Sequence, residues 1–195
     1  MKPMSLNPMI RLAMATLLVL TVAATAWAGD ADTQAWARAE RGGSGTAGGQ
    51  ASYRGNIGFA RTESRSGRLS AARSVAVGVD ERGLALSVST AVAPERGPAL
   101  GTTFHVAIDR DGDVTTSVGA SLAAGGLTRT VEAGGGASGG AIRPTAMARV
   151  VGRTESGGVA RVVTRSESGH GRKAATVRLV GGSDHAGGVS RTFER

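Results

Sequence analysis

The feature that most constrains this chain is a period-two alternation that begins near Tyr53 and runs almost to the C-terminus. In Val75, Val77 and Val79, and again in Leu84, Leu86 and Val88, apolar side chains alternate with small or polar ones. Successive side chains of a strand point to opposite faces, so this spacing predicts strands half buried on one face. Between the two runs, Asp80-Glu81-Arg82-Gly83 supplies a tight turn closed by glycine. The unit recurs as Phe104, Val106, Ile108 and Val114, Thr116, Val118 around Asp109-Arg110-Asp111-Gly112-Asp113. It recurs again as 147–153 and 159–165 around Thr154-Glu155-Ser156-Gly157-Gly158, and Val177, Leu179 with Val189, Arg191, Phe193 suggest a closing pair of strands. Repeated hairpins with glycine-bearing turns predict an all-β antiparallel meander over 53–195, forming a single sandwich or barrel-like domain.

Upstream of that domain the pattern changes twice. Lys2 and Arg11, an apolar run from Leu12 to Ala24, and Ala26-Trp27-Ala28 before Gly29 are the three parts of a cleavable secretory signal over 1–28. Residues 29–52 are expected to be a flexible glycine-rich segment, with a short helix from Asp30 to Arg41 capped by Asp30 or Asp32. After cleavage no second apolar stretch of that length follows, so the mature chain is expected to have no transmembrane segment and to work in the periplasm or outside the cell.

Composition limits the chemistry. The absence of Cys excludes disulfides, thiolate metal sites, cysteine nucleophiles and a lipid-bearing cysteine. The 31 Gly all lie at or after Gly29, and the aromatics left after cleavage are Trp36, Tyr53, Phe59, Phe104 and Phe193. The interior must therefore come from Val, Leu, Ile and Ala, and a core so thin points to low stability or to stabilisation by self-association. Net charge falls from +8 by the two charges of Lys2 and Arg11, to +6, and almost all of it is Arg. Arg suits phosphate and carboxylate, which makes anionic envelope polymers reasonable partners. No block of five like charges occurs, however, and dispersed Arg also serves as a solvated face. Five scattered rings do not make the stacking platform that sequence-specific nucleic-acid readout needs.

Three motifs invite functional readings. Asp109, Asp111 and Asp113 place three carboxylates at alternate positions, where they are candidate ligands for a hard cation such as calcium. The run resembles the opening of an EF-hand loop, but Val114 stands where that loop bends at glycine and Ala120 where it carries its bidentate Glu. An Asp-Gly hairpin turn is the competing reading. Gly134-Gly135-Gly136-Ala137-Ser138-Gly139-Gly140 matches GxGxxG without the strand and helix that a dinucleotide needs. It also matches a nucleophile elbow at Ser138, which would require His170 or His185 and a carboxylate to converge on it. His105 runs out of phase with Phe104 and Val106 and is expected on the solvent face. Finally, Arg61-Thr62-Glu63-Ser64, Arg153-Thr154-Glu155-Ser156 and Arg165-Ser166-Glu167-Ser168 repeat one phrase, read as similar turn chemistry because the intervals are unequal.

The sequence reading is thus an exported, non-enzymatic envelope, matrix or binding protein of unknown ligand, self-associating or contacting anionic polymers. A small secreted serine hydrolase and a calcium-stabilised extracellular β module are the alternatives. The signal reading predicts that the exported chain begins at Gly29, which intact-mass measurement of secreted or periplasmic material checks.

Overall fold

The computed structural model describes residues 29–140, 144–169, 173–179 and 185–191. The signal segment, His170, Ser183, Asp184 and Phe193 lie outside these. The described chain is all-β, with twelve strands and no helix. They are β1 (Asp30–Glu40), β2 (Thr46–Arg54), β3 (Ile57–Arg65), β4 (Leu69–Asp80), β5 (Gly83–Pro94), β6 (Ala99–Asp109), β7 (Val114–Ala124), β8 (Thr128–Ser138), β9 (Thr145–Glu155), β10 (Val159–Ser168), β11 (Lys173–Leu179) and β12 (His185–Arg191).

The strands make two antiparallel sheets. One has seven strands in the order β11-β10-β7-β6-β5-β4-β3, and the stretch from the edge strand β3 to β7 is an uninterrupted meander. The other has five, in the order β12-β9-β8-β1-β2. Two of the three expected hairpins form: β4–β5 closes Asp80 on Gly83, and β6–β7 pairs Ile108 with Val114. Gly83, with φ 155, and Gly112, with φ 87, hold backbone conformations that favour glycine.

Three expectations are corrected. Residues 30–54 do not form a short helix and linker: they are β1 and β2, and β1 is flanked on both sides, by β2 and by β8. The alanine-rich β1 alternates Ala31, Thr33, Ala35, Ala37 and Ala39 inward with Trp36 and polar residues outward, and tertiary pairing overrides its helix propensity. Strands β11 and β12 exist but do not pair with each other; β11 joins β10 and β12 joins β9, in different sheets. The reverse of β9 into β10 likewise moves the chain from one sheet to the other, so its two strands are not ladder neighbours.

The third correction concerns which face is the inside. Val75, Val77, Val79, Leu84, Leu86 and Val88 do not line the core: the alternate residues do. Ala72, Ser74, Ala76, Ala85, Ser87, Ser89, Ala91 and Ala93 are buried, as are Thr103, His105 and Ala107 of β6 and Thr115, Ser117, Ser121 and Ala123 of β7. The five-stranded sheet presents Ala31, Thr33, Ala35, Ala37, Val131, Ala133, Ala148 and Val150 to them. The interior is thus a layer of Ala, Ser and Thr with a few Val. Such short side chains let the sheets approach until hydroxyls bond directly across the gap: Thr33 Oγ1 lies 2.7 Å from Ser87 Oγ and 2.8 Å from Ser89 Oγ, and Ser74 Oγ donates to the carbonyl of Gln34 at 2.6 Å.

This assignment of faces makes opposite predictions for two neighbours on β5. Ala91→Leu, on the fully buried face, is expected to cost about 1–3 kcal/mol through overpacking. Val88→Thr, on the outer face, is expected to change stability by less than about 1 kcal/mol. Urea unfolding midpoints of the two variants check the pair.

Candidate functional site

Asp109 ends β6, and its Oδ1 accepts the backbone N–H groups of Asp111 and Asp113, both at 2.9 Å. The same turn is closed by Asp109 N–H to the Asp113 carbonyl at 3.0 Å and Gly112 N–H to the Asp109 carbonyl at 3.2 Å. That carboxylate caps its own turn, the ordinary use of Asp in a hairpin loop. Among the described residues no group of three or more His, Cys, Asp or Glu is arranged to hold a metal ion.

Ser138 ends β8, where it pairs with Asp30 on one side and Thr145 on the other. His185 starts β12 opposite Arg153, eight positions along β9 from Thr145. At about 3.4 Å per residue the two backbones stand about 27 Å apart, at opposite ends of the sheet. His170 lies outside the described residues. The glycine run around Ser138 has a packing role instead. Gly134, Gly135 and Gly136 sit in β8 between β1 and β9, and a Cβ on Gly135 would stand 2.8 Å from His105 Nε2 and collide with the Met147 carbonyl. Gly135, with φ 139, is there because a neighbour's side chain fills the space a Cβ would take.

That neighbour is the residue sequence reasoning misplaced most. His105 is fully buried rather than on the solvent face. Its Nδ1 lies 2.6 Å from Ser87 Oγ, and its Nε2 lies 2.6 Å from Thr103 Oγ1 and 3.3 Å from the Gly134 carbonyl. Thr103 Oγ1 lies 2.8 Å from Ser89 Oγ, and the Thr33 contacts close the circuit. A neutral imidazole with its proton on Nε2 satisfies all of them: Nε2–H donates toward Thr103 and the Gly134 carbonyl, while Ser87 donates to Nδ1. Burial drives the ring below its ordinary range, to about 4, against the smaller opposing pull of the Gly134 carbonyl. The Ser87–His105 pair has the atoms of a nucleophile and its base, but both side chains are fully buried and no carboxylate joins them, so the ring is a polar core. The missed signal was present in the spacing: Ser87, Ser89, Thr103 and His105 share the phase of Ala85, Ala91 and Ala107.

The surface holds the larger anomaly. On the outer face of the seven-stranded sheet, the register lines up Ile57, Val79, Leu84, Ile108 and Val114 in one row. Phe59, Val77, Leu86, Val106 and Thr116 form the next, followed by Val75, Val88, Phe104 and Val118. Ile57 is 73% exposed, Phe59 52% and Phe104 42%. Across β4 to β7 the outward positions of the ladder carry one charge, Arg73. Charge returns at the flanks, where Arg61 pairs with Glu63 on β3 and Arg165 with Glu167 on β10. Two copies of the repeated phrase thus prove to be strand segments, with Arg and Glu outward and Thr62 or Ser166 bonded to the neighbouring strand's Ser74 or Ser117. The outer face of the five-stranded sheet is more polar, with Asp30, Asp32, Gln34, Arg38 and Glu40 on β1, Glu132 on β8, and Arg149 and Arg153 on β9 set around Trp36, Met147 and Val151.

In comparison with known proteins, no family model matches the sequence, no curated protein matches it, and no solved structure matches the chain.

The buried ring predicts a pH dependence. An unfolded imidazole takes up its proton near pH 6.5, the folded one only near about 4. Between those values the unfolded chain binds more protons, so this residue makes stability fall as pH drops through the window, by about 3 kcal/mol at its lower end. Urea midpoints at pH 7 and pH 4.5 are expected to differ more for the native chain than for His105→Asn, which loses stability at pH 7 and with it this part of the slope.

Proposed function

We propose that this chain is an exported, non-enzymatic envelope or matrix protein that acts by surface contact, and that its partner on the apolar face is a second copy of itself. The observation that carries the reading is the continuous outward row structure of Val, Leu, Ile and Phe on β4 to β7. Contiguous apolar surface on that scale marks an interaction site. With strands about 4.8 Å apart and rows about 6.8 Å apart, the three rows over β3 to β7 cover about 500 Å², and the two rows beyond them, which mix Arg73, Thr90 and Thr102 with Val92, Leu100 and Leu122, bring the face to about 800 Å². A stable interface buries about 800 Å² on each partner.

The flanks favour a like partner over an anionic lipid surface. Each flank carries both signs, so two copies related by a two-fold axis can meet opposite charges, and Glu63 and Glu167 already pair with Arg61 and Arg165, two of the Arg residues a phosphate headgroup would use. The charged outer face of the five-stranded sheet stays in water. Sheet-on-sheet stacking of this kind is ordinary core packing carried out between two chains.

Sedimentation equilibrium of the chain from Gly29 onward tests the reading. A dimer is expected, and Leu86→Asp with Val106→Asp, cross-strand neighbours at the centre of the face, is expected to yield a folded monomer. A monomer at every concentration for the native chain overturns self-association; a monomer that binds phosphatidylglycerol vesicles assigns the face to lipid instead.

A further inference from the structure

At one end of the two sheets the loops β1–β2, β5–β6 and β7–β8 enclose an open cleft of about 750 Å³. Its lining includes Arg41, Arg96, Arg129 and Glu95, together with glycines of the three turns. Arg129 belongs to β8 and is only 4% exposed. Opposite Ala39 and Thr154 in the ladders, it shares their inward phase, and its guanidinium closes the open end of the interior. One nitrogen, Nη2, donates to the carbonyls of Pro94 at 3.2 Å and Glu95 at 2.7 Å. Its Nε is buried and has no hydrogen-bond partner.

A guanidinium stays charged at any physiological pH, and leaving one of its buried N–H groups unpaired is costly. Among the described residues Arg129 has no ion pair, and neither have Arg41 and Arg96. The single carboxylate in the cleft, Glu95, is drawn toward Arg68 at 3.8 Å and has its backbone N–H on the Arg68 carbonyl at 2.6 Å. The cleft therefore presents three cations against one partly neutralised acid. Gly42, Gly97, Gly125 and Gly126 all hold positive φ, which keeps Cβ atoms out of the three turns and lets a ligand approach the backbone closely.

We infer that this cleft binds an oxyanion, a phosphate group carried by a larger anionic molecule, with Arg129 as its fixed floor and Arg41 and Arg96 closing from the rim. Planar guanidinium groups grip phosphate through paired N–H donors, and the volume leaves room for the molecule that carries it. The inference goes beyond the self-association reading and does not rest on it, because the cleft lies at the sheet ends and not on the apolar rows.

Titration calorimetry with inorganic phosphate, and with glucose 6-phosphate against glucose, tests it on the folded chain. Phosphate and glucose 6-phosphate are expected to bind and glucose not to. Arg41→Gln with Arg96→Gln is expected to weaken binding by about tenfold or more, as loss of charge-assisted hydrogen bonds implies. Arg129→Lys, which keeps the charge but not the fork, is expected to weaken it as well. Arg149→Gln with Arg153→Gln, an equal change of charge on the outer face of the five-stranded sheet, is the control expected to have no effect. Tighter binding of glucose 6-phosphate than of phosphate assigns the group to a soluble glycan. Binding to phosphatidylglycerol vesicles but not to phosphatidylcholine, lost in the Arg41/Arg96 variant, assigns it to a lipid headgroup. Equal weakening by the control pair, or no response to any of these probes, overturns the site.

Discussion

Everything distinctive about this molecule follows from how closely its two sheets approach. The gap is set by Ala, Ser, Thr and Gly, and it is narrow enough for Thr33 to reach Ser87 and Ser89 and for Ser74 to reach the backbone of β1. Close approach is stabilising only if nothing large lies between, so the bulky aliphatic residues are expelled to the opposite side of the same strands. A buried Ala removes little apolar area from water, and the hydroxyl bonds across the gap each contribute only about 1 kcal/mol net. The inner layer thus fixes geometry more than it supplies driving force, and much of the chain's capacity for burial is left on the outside of the seven-stranded sheet.

Against that background the strands were legible and the faces were not. Alternation at Val75–Val79 and Leu84–Val88, and again at Phe104–Ile108 and Val114–Val118, with Asp-bearing and Gly-bearing turns between, identifies β4 to β7 and the β4–β5 and β6–β7 hairpins. The same alternation is silent about polarity of the sheet, because a run of Val-Ala-Val-Gly-Val has two apolar-compatible phases. The rule that larger aliphatics go inside chose the wrong one and carried His105 outside with it. What decides is the opposing layer: Ala31, Ala35 and Ala37 on β1 and the glycines of β8 match the Ala and Ser phase of β4 to β7 and no other. That complementarity is spread over distant segments and cannot be read from one of them. The first strand was hidden for a related reason, since Asp-Ala-Asp-Thr-Gln-Ala-Trp-Ala-Arg-Ala-Glu suits a helix until a partner on each side claims its backbone.

In the structure Asp109 closes its own turn and the glycine run allows close packing. Asp109 and the glycine run looked like chemistry because tight turns and close contacts use the same residues as cation loops and phosphate loops. The groups that stand out structurally, His105 and Arg129, carried no motif at all. Each is a polar side chain turned into a layer of small residues, and each was visible only once the inner phase was known. His105 is matched by neighbours on both of its nitrogens; Arg129 is not, and that contrast separates a polar core from a site.

The placement of β1 has a consequence for how the fold is reached. Its ladder with β2 closes locally, but the other edge waits for β8, with Asp30 set opposite Ser138 and Glu40 opposite Thr128. A chain emerging N-terminus first can complete the meander from β3 to β7 while that edge of the five-stranded sheet stays open. Contacts so distant in sequence slow folding, since the loop between them must be ordered before they form. The five-stranded layer therefore cannot close before Ser138 has emerged, by which point the β3 to β7 meander of the opposite layer has its whole sequence available.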